Sequence, residues 1–281
     1  MSAPGWPLLL TLLFWWGSTG VILYLASRPA LRPLAMWGAS ALAAAALVGL
    51  LASSGVADAA SAYCAFTCGL LIWGWVEMSY LAGVVTGPRW AQVPCPPGAT
   101  TGRRFLLGIA TSLYHELAVI GIGVALVVLT LDAPNRVGAW TFVILWVMRW
   151  SAKLNLFLGV PNLNAEFFPA HLRYLETYIA RRPMNLLFPL SVTIGTALAA
   201  LLIAGAFTTA SEFESVAGLT LGTLLGLAVL EHWFMVIPLR DAELWRWALP
   251  RSSARRRRTA VEPVLPAVAV AELTPGRSPA R

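Results

Sequence analysis

Apolar runs of about 20 residues recur along the whole chain, each ended by a short polar or Pro/Gly-rich stretch. They predict an all-α, polytopic membrane protein with seven spans, at 7–25, 34–52, 60–85, 105–131, 137–160, 185–207 and 216–237. Pro29 and Pro33 stop the first run, Asp132 to Arg136 (DAPNR) reads as a tight turn, and Pro238 ends the last. The loop at 87–102 is rich in Pro and Gly. The longest loop, 161–183, carries its own pattern. Pro169 suits the first position of a helix, and Phe168, Leu172, Leu175 and Ile179 form an apolar stripe beside His171, Arg173 and Glu176. A short amphipathic helix at the membrane interface is expected there, between spans five and six.

Polar positions inside the runs matter more than the runs themselves. Glu77 follows Phe66, Leu70 and Trp73 at helical spacing, with Tyr80 next. His115 and Glu116 lie beside Ser112 and Val119, while Phe142, Trp146, Arg149, Trp150 and Lys153 share one stripe. Glu231 and His232 follow Gly218, Gly222 and Gly226, a spacing that lets helices approach closely. A charge at the bilayer centre costs roughly 2.5–3.5 kcal/mol on insertion scales. These seven groups are therefore expected to face inward and satisfy one another.

Composition agrees with the membrane reading. Of 281 residues, 58% are hydrophobic and 12% charged, against about 25% charged in a soluble domain. Thirteen tryptophans fit interfacial belts. The net charge of +7 lies in arginines that flank the spans, which points to anionic lipid headgroups and not to nucleic acid. Lys153 is the one lysine. Most loop arginines follow spans one, three and five or lie in the tail, whereas the other side holds Arg136 with Asp58, Asp132, Glu212 and Glu214. The N-terminus is accordingly expected outside and the C-terminus inside. Met1 to Trp6 lacks the basic start of a secretory signal, so the first run reads as a retained span. Cys64, Cys68 and Cys95 make no disulfide framework. Residues 1–250 form the membrane domain. Residues 251–281 form a tail, in which Arg255, Arg256, Arg257 and Arg258 read as a lipid-surface contact ahead of a disordered Pro/Ala-rich end.

With that orientation the charges fall mostly in one band, roughly 10–17 Å from the inner boundary at 1.5 Å per residue. The plainest account of the band is internal neutralisation that holds the helices in register. Three functional accounts stand beside it. Histidine nitrogen with Trp73, Trp146 and Trp150 suits a tetrapyrrole or a quinone. His and Glu from several helices suit a metal-dependent membrane enzyme, although the Glu-x-x-His spacing is absent. Buried ionisable groups also suit a proton or ion path.

Five stretches go further: AFTCGLLIWGWVEMSYLAGVVTGPR (65–89), VPCPPG (93–98), WTFVILWVMRWSAKLNLFLGVPNL (140–163), RRPMNLLFPLSVT (181–193) and LEHWF (230–234). In this order they resemble the photosynthetic complex assembly protein 2 (PuhE) family over roughly residues 8–250. The resemblance implies an inner-membrane protein of phototrophic bacteria, encoded near the reaction-centre H subunit. It implies a role in assembling the reaction centre and light-harvesting complex, with those subunits as partners, and in modulating bacteriochlorophyll supply; the first reading is therefore a non-enzymatic assembly factor, with bacteriochlorophyll or a precursor as the candidate ligand of the buried layer. It brings no assigned catalytic residues. The alternative is a metal- or tetrapyrrole-dependent membrane enzyme using the buried His/Glu layer.

Overall fold

A computed structural model describes residues 5–162, 167–238 and 241–249; the tail arginines 255–258 lie outside the described residues. Among the described residues all regular structure is helical, with no strand. The helices are α1 (Gly5–Ala26), α2 (Arg32–Ser54), α3 (Ala59–Leu81), α4 (Thr101–Ala110), α5 (Leu113–Leu129), α6 (Val137–Leu158), α7 (Leu187–Thr208) and α8 (Glu212–Phe234). Six are long and apolar enough to cross a membrane, or seven if α4 and α5 count as one bent span.

The apolar faces decide the order of packing. α3 lies at the centre, against α1, α2, α5, α6 and α8. It earns that place through small residues. A Cβ on Gly69 would stand 2.4 Å from the carbonyl oxygen of Gly138 on α6, and one on Gly138 would stand 2.7 Å from that of Ala65. The two backbones therefore touch, and Phe66, Phe142, Val76 and Trp73 fill the space around the crossing. α8 uses the same device against α7, where Gly218 and Gly222 approach the carbonyls of Leu202 and Ala199. The third glycine of that stripe, Gly226, faces open space.

Asp58 starts α3 with a capping box, accepting from the Ser61 backbone N–H at 2.7 Å while Ser61 Oγ accepts from the Asp58 N–H. The Ser61 backbone N–H, with the Ser61 side chain beside it, holds the Asp58 carboxyl below its ordinary pKa. Its contribution is thus present above the ordinary carboxylate pKa and is lost as pH falls through the depressed value. Asp58→Ala is expected to lower the thermal midpoint at neutral pH, with the gap to wild type closing on acidification. Melts across a pH series check this, and a gap that is flat with pH would contradict it.

The expected single span at 105–131 is broken. α4 and α5 meet at 65° around Thr111 and Ser112. The cause is tertiary. The loop after α3 wedges against the break, bringing Gly87 so close that a Cβ would stand 2.1 Å from the Ala110 carbonyl. The Thr86 carbonyl accepts from the His115 N–H at 2.9 Å, and Gln92 Nε2 donates to Thr86 Oγ1 and the Gly87 carbonyl. Thr111 Oγ1 turns back onto the Gly108 carbonyl. The His115 N–H and the Gly108 carbonyl, freed where the span breaks, are thereby given partners. α4 has no buried residue and carries Arg103 and Arg104 beside Phe105, Leu106 and Ile109, an amphipathic composition.

In the loop between spans five and six, residues 170–178 form a 3-10 helix and not an α-helix. Of the expected apolar stripe, Leu172 is buried and Phe168, Leu175 and Ile179 are half-buried, while His171 and Arg173 are exposed. His171 is exposed, but its ring packs over Gly83, a left-handed position with φ of 81°. Burial there and the nearby Arg32 push the His171 pKa down.

Candidate functional site

Two ion pairs form the centre of the site, both built on α6. Glu77 of α3 pairs with Arg149, and Glu116 in the first turn of α5 pairs with Lys153. The Gly69–Gly138 crossing sets this register. Glu77 lies just over two turns below Gly69, and Arg149 three turns below Gly138 on a helix running the same way. Helical side chains lean toward the N-terminus, so the long arginine reaches back to the carboxylate. Trp150 Nε1 donates to Glu116 Oε2 at 2.6 Å, and Ser112 Oγ donates to Glu116 Oε1 at 3.3 Å. Tyr80 lies between the pairs, its ring centre 5.5 Å from both Arg149 Cζ and Lys153 Nζ and 4.7 Å from the His115 ring. Tyr80 was legible only as a member of the Glu77 face; its contact with both cations depends on how α3 and α6 cross.

The centre is balanced in charge but not in hydrogen bonds. Glu77 Oε1, Arg149 Nε, Trp146 Nε1 and both ring nitrogens of His115 are buried without a hydrogen-bond partner. Each such atom costs about 1–3 kcal/mol. These donors and acceptors lie on α3, α5 and α6.

The centre also opens sideways. Lys153 keeps 33% of its side chain accessible and Trp150 is 40% exposed. Around them the outer faces of α5 and α6 present Leu117, Val147 and Leu154, with Gly121 open. The result is a polar window in an apolar wall.

The other expected members lie elsewhere. His232 is buried between α6, α7 and α8. Its Nδ1 faces the Ala228 carbonyl at 2.8 Å and its Nε2 faces Ser151 Oγ at 2.9 Å. Ser151 Oγ continues to Ser191 Oγ at 2.9 Å, and Asn155 Nδ2 joins the Ser151 carbonyl. Ser151, Ser191 and Asn155 escape composition-level reading because hydroxyls and amides do not interrupt an apolar run. Glu231 accepts from Trp15 Nε1 at 2.6 Å on the α1 side. Trp245 stacks edge-on against Trp15 and donates from Nε1 to the Trp16 carbonyl. The single expected layer is thus three groups, and α6 supplies two of them. Trp73 packs edge-on against Phe142 and Trp146 against Trp150, so the aromatic lining is core as well as rim.

Among the described residues, no three His, Cys, Asp or Glu side chains converge on a metal position. A chlorin meets a different obstacle. His115 offers an unpartnered ring nitrogen, the donor type that central magnesium takes, but it is wholly enclosed with Tyr80 against it. A flat macrocycle does not fit beside His115 in this packing.

Comparison with known proteins gives the chain a relative but no solved counterpart. A protein of Rhodobacter capsulatus, named "Uncharacterized 30.4 kDa protein in puhA 5'region", is 39% identical over 284 residues, covering 99% of both chains. No solved structure matches significantly. The model of the family described as "Protein of unknown function (DUF3623)" matches residues 1–256, and the chain, a membrane protein of multiple apolar helices, belongs to that family.

Proposed function

We propose that this protein is an inner-membrane assembly factor for a bacterial photosynthetic complex, and that it holds client subunits laterally at the window between α5 and α6. The observation that carries the reading is the opening itself. Lys153 is paired with Glu116 but keeps one-third of its side chain accessible, at a depth that the expected orientation puts within the hydrocarbon region. A polar group in such a wall is costly beside lipid tails and favourable beside a polar side chain of another membrane helix. The place of the Rhodobacter capsulatus relative, 5′ of puhA, supports a photosynthetic client. So does the resemblance to the PuhE family. A chlorin handled by this protein would meet the rim of the window, at Trp150 and Tyr80, and not the enclosed His115. On the N-out, C-in orientation expected from the loop arginines, the window would lie in the inner half of the bilayer.

A photocrosslinking residue placed at Leu117, Val147 or Leu154 tests this in cells forming their photosynthetic membrane. Crosslinks to reaction-centre or light-harvesting subunits are expected from these positions. None is expected from Trp37 on α2 or Leu201 on α7, which are more open still at 78% and 69% exposure. Equal yields from all positions, or a deletion strain with normal complex levels, would overturn the proposal.

A further inference from the structure

A second site lies where the loop after α3 meets the break between α4 and α5. An open cleft of about 580 Å³ is lined there by Gly83, Thr86, Arg89, Trp90, Gln92 and Tyr114. Its lining is rich in unused donors. Among the described residues, the Arg89 guanidinium, the Trp90 indole N–H and the Tyr114 hydroxyl have no hydrogen-bond or ion-pair partner. No Asp or Glu occurs between Met78 and His115, so nothing nearby in the chain neutralises Arg89, Arg103 or Arg104. The cleft abuts the first turn of α5, a 17-residue helix, whose positive dipole end adds to the same potential. Thr86 and Gly87 are buried and fixed against the break, so the cleft has a rigid floor.

We propose that this cleft binds the phosphate of an anionic glycerophospholipid. Arg89 carries the charge, and Trp90 and Tyr114 donate to the headgroup. The rim selects a lipid over a free anion. Trp90 is 65% and Tyr114 54% exposed, and one turn further along α5 Leu117 continues the apolar track that an acyl chain would follow. The bound headgroup would brace the bend and with it Glu116, two residues beyond Tyr114. This site is separate from the tail arginines and does not depend on the identity of the client.

The test uses the full chain in phosphatidylcholine nanodiscs carrying a minor fraction of phosphatidylglycerol, with retained lipid counted by native mass spectrometry. Arg89→Gln is expected to lower phosphatidylglycerol retention about fivefold, the scale of one basic residue at an anionic surface. Arg89→Lys is expected to restore most of it. Replacing Arg255, Arg256, Arg257 and Arg258 together by Gln is expected to leave the tightly held lipid in place. Equal retention by wild type and Arg89→Gln would overturn the assignment. So would a loss equally large in Arg89→Lys, which would mark a packing effect, or a loss confined to the tail variant. Inorganic phosphate added to pure phosphatidylcholine discs distinguishes the other anion source. Protection of wild type against heating by phosphate alone, equal to that by phosphatidylglycerol, would overturn the lipid assignment.

Discussion

Arg149→Leu is expected to destabilise the folded protein by about 3–5 kcal/mol, the usual cost of removing one partner from a buried ion pair. The substitution leaves the Glu77 carboxylate enclosed with one oxygen already unpartnered and its cation gone. Glu77→Gln is expected to cost less than Arg149→Leu, because the charge stranded in that variant belongs to the long, partly accessible Arg149 side chain. The double replacement, Glu77→Gln with Arg149→Leu, removes both charges together and is expected to recover much of the loss. Thermal unfolding of detergent-purified protein, arranged as a double-mutant cycle, reads these differences. A double variant no more stable than Arg149→Leu alone would show that the pair does not act as a unit.

Gly138→Val is the second large effect. Its Cβ would stand 2.6 Å from Leu50 Cδ1 and 2.7 Å from the Ala65 carbonyl oxygen. Leucine can turn away, but the α3 backbone cannot, so the helices must separate. Overpacking in a well-filled core costs about 1–3 kcal/mol, and more where the obstacle is backbone. The consequence reaches the site. Glu77 and Arg149 are both positioned by this crossing, and parting α3 from α6 lengthens their contact. The expected result is a sharply lower yield of folded protein and a lower melting midpoint. Gly226→Ala is the matched control, because its Cβ meets nothing within 4 Å and alanine favours the helix. Similar behaviour of the two variants would remove the crossing as the cause.

The two effects have a common origin in α6. Gly138, Arg149, Trp150, Ser151 and Lys153 all project from it, toward α3, α5, α7 and α8. A helix that joins an ion-pair centre to a neutral serine–histidine network needs its position fixed over its whole length. The backbone contact at Gly69 and Gly138 fixes one end. The Asn185 amide, which donates to the Asn155 and Gly159 carbonyls, fixes the other.

Sequence by itself determined the helical class, the membrane character and most span positions. Each rests on local quantities: the length of an apolar run, the stop supplied by a proline, and the cost of exposing backbone to lipid. It also singled out Glu77, His115, Glu116, Arg149, Lys153, Glu231 and His232, because an ionisable group in an apolar run is visible without a partner. Which groups meet is not a local quantity. Helical spacing brings Arg149 and Lys153 to one stripe of α6, but only the crossing angles decide that Glu77 takes the first and Glu116 the second. The same angles send His232 toward Ser151 and Glu231 toward Trp15, two neighbouring directions about 100° apart around α8. The break at Thr111 was hidden for a related reason. Residues 105–131 are apolar enough to continue straight, and the bend is imposed by a loop from elsewhere in the chain that supplies the Thr86 carbonyl and wedges Gly87 against Ala110. Composition reports what a segment tolerates, whereas the partners of its polar atoms exist only once the helices are packed.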